Sequence, residues 1–337
     1  MARCLQLAEK GLGRVAPNPM VGSVIVNEGK IIGEGFHDTY GRAHAEVNAI
    51  ASLGEQKVPN SAIIYVSLEP CSHHGKTPPC ANLIIEKGFK KVVVAQTDPN
   101  PKVAGRGINR LREAGVEVIQ GVLEKEAKEL NRRFRTFHEK SRPFIILKWA
   151  ESADGFMDYD RGNHEKGIFW ISAPSTKKLV HRWRAEEGAI LVGATTVIND
   201  NPRLDVRKVK GRNPLRVVLS GTHSFQNRHI LEDGNPTLIL GQKAGKYPES
   251  VRFVDSKDED PIRLMLAELF DRGYNSLIVE GGRATLLKFI EEELWDEARI
   301  IKSHKLIGSG LKAPSVNLPA ANSFYFGDDR IDIYRRV

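Results

Sequence analysis

A chain of 337 residues is long for one hydrophobic core, because single cores stop growing near ~250–300 residues, and two domains are expected. With 41% hydrophobic and 27% charged residues, and no apolar run near the ~20 residues of a bilayer span, the composition excludes membrane and fibrous classes. The formal charge of +8 is shared by both halves and only 7% of residues are aromatic, which points to small phosphorylated ligands rather than a nucleic-acid surface.

Three cysteines cannot make a disulfide framework, and Met1-Ala2-Arg3-Cys4-Leu5 lacks the apolar core of a signal peptide, so a cytoplasmic location is expected. Residues 2–13 place Leu5, Ala8 and Leu12 at helical spacing and stop at glycine. Pro17-Asn18-Pro19 then imposes an extended turn, since proline fixes φ and restricts its predecessor. Asn18 there is either a turn former or an amide that meets a heterocyclic ring. Residues 21–26 and 31–36 read as a hairpin, with His37 just beyond it.

His44 opens a helix whose buried stripe is Val47, Ile50, Ala51 and Leu53. After a strand at 62–68, Cys71 falls in a loop, and Cys80 follows Pro78-Pro79 at the start of a helix whose dipole favours a thiolate. One imidazole and two thiolates can hold zinc and leave its fourth position for water. Glu46, two residues from His44, does not share its helix stripe and is expected beside the metal as a proton carrier, not as a ligand. H-x-E followed by P-C and a later Cys is the zinc-deaminase pattern. His73 and His74 read as loop residues, because three protein ligands and water already complete a tetrahedral site. A strand at 91–95, a helix at 107–114, a strand at 116–119 and one helix from 124 to 139 complete an α/β unit; Gly105-Arg106-Gly107 reads as a loop.

The charged, proline-ended stretch Glu139-Lys140-Ser141-Arg142-Pro143 is the expected linker, dividing the chain into 1–140 and 141–337. Beyond it come strands at 144–147, 189–192, 216–219, 237–240, 276–279, 298–303 and 330–335, with helices at 175–186, 262–272 and 284–292. No G-x-G-x-x-G occurs, so a standard Rossmann unit is unsupported. Glu280-Gly281-Gly282, between a strand and a helix, is either an ordinary turn or a place where a pyrophosphate meets a helix N-terminus. Arg184 and Arg207 are either solvated or a bidentate phosphate clamp.

Taken together, Pro17-Asn18-Pro19-Met20-Val21-Gly22, His44-Ala45-Glu46, the run from Glu69-Pro70-Cys71 to Pro79-Cys80, Thr97-Asp98-Pro99-Asn100-Pro101, Ser152-Ala153-Asp154-Gly155, Asp200-Asn201-Pro202 and Val279-Glu280-Gly281-Gly282 resemble the bifunctional riboflavin-biosynthesis deaminase/reductase family. The resemblance implies an α/β protein: a cytidine-deaminase-like three-layer α/β/α domain followed by a dihydrofolate-reductase-like α/β domain. It implies zinc-dependent deamination of a phosphoribosylaminopyrimidine, with Glu46 moving protons, and then NADPH-dependent reduction of the ribosyl group to ribityl. Carried over by position, it implies NADPH contacts at Ala150, Trp170, Thr196, Asp200 and Ser220, and along Gly282, Arg283, Ala284, Thr285, Leu286, Leu287 and Lys288. Substrate contacts are implied at Asn18, Ile168, Arg184, Leu204, Arg207 and Glu280, with Lys148 near the reacting sugar. Ile168 departs from the family serine and removes a hydroxyl from the phosphate pocket, so a backbone group replaces it or reduction is slower. The start also falls a few residues later than is usual, which should cost helix-capping contacts and not chemistry. A homo-oligomer is expected, without nucleic-acid or membrane partners. Competing readings are a nucleoside or nucleic-acid deaminase with an accessory domain, and a deaminase whose second half is only a scaffold.

Overall fold

The computed structural model describes residues 1–72, 78–101, 103–161 and 167–336. Two compact units divide after Arg142, two residues beyond the expected boundary. In the first the elements are α1 (Ala2–Glu9), β1 (Gly22–Asn27), β2 (Lys30–Phe36), α2 (Ala45–Ala51), β3 (Ile63–Val66), α3 (Cys80–Glu86), β4 (Lys91–Val94), α4 (Arg106–Glu113), β5 (Glu117–Gln120), α5 (Glu124–Leu130) and α6 (Arg132–Lys140). Its sheet runs β2-β1-β3-β4-β5, with β1 antiparallel to both neighbours and β3, β4 and β5 parallel.

The period-2 alternation of strands makes the layers. Ile25, Ile64, Val92 and Val94 face Ala49 of α2, Ala81 and Ile84 of α3 and Leu111 of α4. Val24 and Tyr65 point the other way, onto Cys4 and Leu7 of α1. A Cβ on Gly35 would lie 2.2 Å from the Ala49 amide nitrogen, so glycine is what lets α2 lie flush on β2.

The single helix expected over 124–139 is two helices. Asn131 breaks it because its buried amide clasps Met20 in both directions, accepting from the Met20 N–H (2.8 Å) and donating to the Met20 carbonyl (2.9 Å). Those two bonds hold the end of the Pro17-Asn18-Pro19 turn. Gly105 is an N-cap and α4 starts at Arg106, so the expected loop there is the entrance to a helix.

The second unit contains β6 (Phe144–Glu151), β7 (Phe156–Asp158), α7 (Thr176–Glu186), β8 (Ala189–Gly193), α8 (Ala194–Asp200), β9 (Leu215–Gly221), α9 (His229–Glu232), β10 (Thr237–Gly241), β11 (Val251–Asp255), α10 (Pro261–Asp271), β12 (Ser276–Val279), α11 (Arg283–Glu291), β13 (Glu297–Lys302), β14 (Leu311–Lys312), β15 (Asn322–Phe326) and β16 (Asp329–Arg335). Its large sheet runs β11-β10-β9-β8-β12-β6-β13-β16-β15, parallel from β11 to β13 and closed by an antiparallel β16–β15 edge.

Helices cover both faces, as a parallel sheet demands. Ile145, Leu147 and Leu277 bury against Met265 and Leu269 of α10 and Phe289 of α11. Ile146, Ile190 and Ile278 bury against Leu179 and Trp183 of α7 and Val197 of α8. Ligands of such sheets bind beyond the carboxyl ends of the strands, and here the ends of β6, β8 and β12 open into one cavity. No helix among the described residues is long and apolar enough to cross a membrane.

Candidate active sites

In the first unit His44 is the N-cap of α2, with extended backbone and no side-chain capping bond, so its imidazole is free to turn toward the cysteines. Cys80 opens α3 directly after Pro79 and is fully buried, while Cys71 sits in the loop beyond β3. His44 Nδ1 stands 3.6 Å from Cys71 Sγ and 3.3 Å from Cys80 Sγ, and the three donor atoms all lie within 4.8 Å of one another. A soft His/Cys/Cys set at that separation fits zinc.

The Cys80 N–H at the start of α3 donates to Cys71 Sγ (3.3 Å), so the helix end serves the neighbouring sulfur. The Cys71 thiol is held down at about 4, first by its hydrogen bond with Cys80 and then, against burial, by His44. Cys80 is pushed up by that same hydrogen bond and by burial. Cys71 raises the His44 imidazole against the pull of burial.

Glu46 lies in the first turn of α2 and is 3% exposed. Burial, reinforced by the charge of Cys71 and opposed by His44, pushes its carboxyl up to about 7. Asn18 Nδ2 lies 3.1 Å from His37 Nε2, and His37 Nδ1 lies 3.0 Å from the Ala43 carbonyl. That carbonyl can only accept, so Nδ1 carries the proton and Nε2 accepts from the Asn18 amide. The His37 and His44 rings meet edge-on at 5.5 Å, which brings the asparagine turn to the cysteine cluster through a residue whose isolated position in the sequence gave little warning. His73 and His74 lie outside the described residues.

In the second unit a cavity of about 910 Å³ gathers Lys148, Ala150, Ile168, Trp170, Arg184, Thr196, Asp200, Leu204, Arg207, Glu280, Gly282, Arg283, Ala284 and Thr285. Its floor is charged and buried. Arg184 grips Glu280 with both arms of its fork, Nε and Nη2 each at 2.7 Å, and Lys148 Nζ lies 3.6 Å from the same carboxylate. Burial pushes the Glu280 carboxyl up, but Arg184 and Lys148 prevail and hold it at about 2. Burial lowers the Lys148 ammonium, with Glu280 pulling it back up. Of the two arginines of the expected phosphate clamp, Arg184 has its fork engaged by Glu280, and Arg207 pairs with Asp205.

At the junction of β12 and α11 the backbone turns on two glycines. Gly281 turns at φ +115°, and α11 starts without a side-chain cap. Added Cβ atoms would meet Thr285 Oγ1 at 2.6 Å from Gly193 and Thr196 Oγ1 at 3.3 Å from Gly282. These residues fit a dinucleotide cofactor. Four expected contacts do not line the cavity: Ser220 is buried with its hydroxyl donating to the Leu240 carbonyl (3.0 Å), Leu286 belongs to the core, Leu287 is half-buried one turn along α11, and Lys288 pairs with Asp260.

Residues that sequence reasoning passed over also reach the cavity. Lys177 and His181 line it from the same stripe of α7 as Arg184, at i, i+4 and i+7, a signal that helical periodicity carries. Burial, then Arg184 and Arg207, push the His181 imidazole down to about 4, so it stands neutral. Arg161 bridges Asp158 (2.8 Å) and Asp200 (3.3 Å).

Residues 1–96 match the profile of the cytidine and deoxycytidylate deaminase zinc-binding region, and residues 143–322 match that of the RibD C-terminal domain. The riboflavin biosynthesis protein RibD of Aquifex aeolicus is 40% identical over 318 residues, 92% of this chain and 88% of the relative. The chain belongs to the RibD family. The Escherichia coli RibD is 36% identical over 328 residues, 92% of this chain and 88% of that protein. A crystal structure of the diaminohydroxyphosphoribosylaminopyrimidine deaminase/5-amino-6-(5-phosphoribosylamino)uracil reductase of Thermotoga maritima superposes with a TM-score of 0.90 at 38% identity, covering 100% of this chain and 97% of that one. Both RibD domains are present, a zinc-binding deaminase domain and a reductase domain that uses NADPH, and the chain is a bifunctional enzyme of riboflavin biosynthesis.

Proposed function

We propose that residues 1–140 remove the 2-amino group of 2,5-diamino-6-(5-phosphoribosylamino)pyrimidin-4(3H)-one as ammonia, and that residues 141–337 then reduce the ribosyl side chain of the product to ribityl. The observation that carries this reading is the convergence of His44, Cys71 and Cys80 with Glu46 buried beside them. Held by those three residues, zinc supplies a Lewis acid that makes water nucleophilic near neutral pH. Glu46, buried beside those ligands, is placed to accept a proton from water and to deliver protons to the ring nitrogen and the departing amine. Asn18, oriented by His37, meets the pyrimidine ring.

In the reductase domain NADPH supplies the hydride. Ala150, Trp170, Thr196, Asp200, Gly282, Arg283, Ala284 and Thr285 hold it, and Leu204 and Ile168 bound the substrate side. Arg207 takes the phosphate, while Arg184 fixes Glu280 as an anion toward the sugar. Lys148 stands by the sugar as an electrostatic or proton-donating group. The enzyme acts in the cytoplasm as a homo-oligomer on small phosphorylated pyrimidines, without nucleic-acid or membrane partners. Three free cysteines and the absence of a membrane-crossing helix among the described residues support that placement.

The test is to supply the diaminopyrimidine with NADPH and follow ammonia and NADPH together. The proposal expects ammonia release first and NADPH oxidation after it; ammonia without any NADPH consumption would reduce the second domain to a scaffold.

A further inference from the structure

The Thr97-Asp98-Pro99-Asn100-Pro101 motif and the Gly105-Arg106-Gly107 segment have no chemistry in the reading above, yet both converge on one buried carboxylate. Glu69, 4% exposed, stands two residues before Cys71. Its Oε2 accepts the N–H groups of Asp98 (3.1 Å) and Gly105 (2.9 Å), and its Oε1 those of Gly107 (2.8 Å) and Ile108 (3.3 Å). Four donors match the acceptor capacity of one ionised carboxylate. The next peptide is pinned as well. A Cβ on Gly107 would lie 1.9 Å from the Pro70 carbonyl oxygen, so only glycine lets α4 lie against the peptide that leads into Cys71. On its other side, the Cys71 carbonyl accepts from Ala81 N–H (3.1 Å) and its sulfur from Cys80 N–H (3.3 Å).

We infer that Glu69 and Gly107 are positioning residues for the zinc centre, fixing the loop that presents Cys71 Sγ to His44 Nδ1 and Cys80 Sγ. The inference rests on reading those three residues as the zinc ligands. A ligand at the start of a helix inherits that helix's rigidity, whereas one on a loop must be held by other bonds. Metal–ligand distances tolerate only about ±0.2 Å. Glu69 supplies the missing rigidity by binding the entrance of α4 and the proline motif to the strand end that carries Cys71. The proline motif and the glycine pair thus act on the metal from a distance, through one side chain.

The experiment measures zinc transfer from the full-length, zinc-loaded protein to a chromophoric chelator, for the wild type, Glu69→Gln and Gly107→Ala. Gln turns one acceptor oxygen into an NH₂ group facing two N–H donors, and Ala drives a methyl group into the Pro70 carbonyl. Both variants are expected to hold zinc about 10- to 100-fold more weakly. Saturating zinc should restore their deamination, and NADPH oxidation with pre-deaminated substrate should be unchanged. A merely structural role would lower the melting temperature and leave zinc affinity at room temperature as it was, and that result overturns the inference. A wild type that binds no zinc sinks the underlying ligand assignment instead. Should Glu69→Gln fail to fold, Gly107→Ala decides.

Discussion

The two domains build their sites from different materials. In the deaminase domain the chemistry resides in four side chains, His44, Glu46, Cys71 and Cys80, each at a helix start or on a loop tied to one. In the reductase domain much of the cavity is backbone and shape: a glycine turn, a helix end without a side-chain cap, and a floor that carries the buried Lys148, Arg184 and Glu280 cluster. A site made of reactive side chains fails at one residue, whereas a site made of shape degrades by degrees.

Glu46→Gln should show the sharpest break. Removing the proton carrier is expected to lower the deamination kcat by about 10²–10⁴-fold while zinc stays bound and NADPH oxidation with deaminated substrate continues. Metal analysis and the two separate assays check it. In the other domain, Glu280→Ala leaves Arg184 and Lys148 buried without their counter-charge, which should cost about 3–5 kcal/mol and abolish reduction. Denaturant unfolding measures the first effect and NADPH turnover the second.

Acid sharpens the same contrast. The Glu280 carboxyl stands at about 2 in the folded chain against an ordinary 4.5, so its stabilising contribution is complete above 4.5 and lost as pH falls toward 2. Acid unfolding of Glu280→Gln, compared with the wild type, should show a smaller pH dependence in that window. Smaller still, Arg207→Ala should raise KM for the phosphorylated substrate by about tenfold, the loss of one charge-assisted hydrogen bond, with kcat nearly unchanged. The smallest effect is expected for Ser220→Ala. Its hydroxyl serves the Leu240 carbonyl, so the variant should lose about 1 kcal/mol of stability and keep its NADPH affinity, as unfolding and cofactor titration will show.

The same difference explains what could be read in advance. His44, Cys71 and Cys80 were legible because zinc chemistry dictates residue types, and proline before each cysteine gave their local setting. Strands with an alternating or continuous apolar run were legible as well, since burial writes a period into sequence. The helix break at Asn131 was not, because its cause is a hydrogen bond to Met20, 111 residues away in the chain. Nor was β15, an exposed edge strand whose residues bury almost nothing and so carry no pattern. The partners of Ser220 and Lys288 were not legible for a related reason: position along an element says little about which way a side chain points once a neighbour, Leu240 or Asp260, claims it. Arg184 lines the cavity, but its partner Glu280 lies 96 residues on, beyond any local signal.

The most direct test is to measure zinc content and ammonia release on the same samples of wild type and Cys71→Ser. One zinc per chain with ammonia release from the wild type is predicted, with neither from the variant, while both oxidise NADPH with the deaminated substrate. A Cys71→Ser protein that keeps its zinc and still releases ammonia would contradict the account.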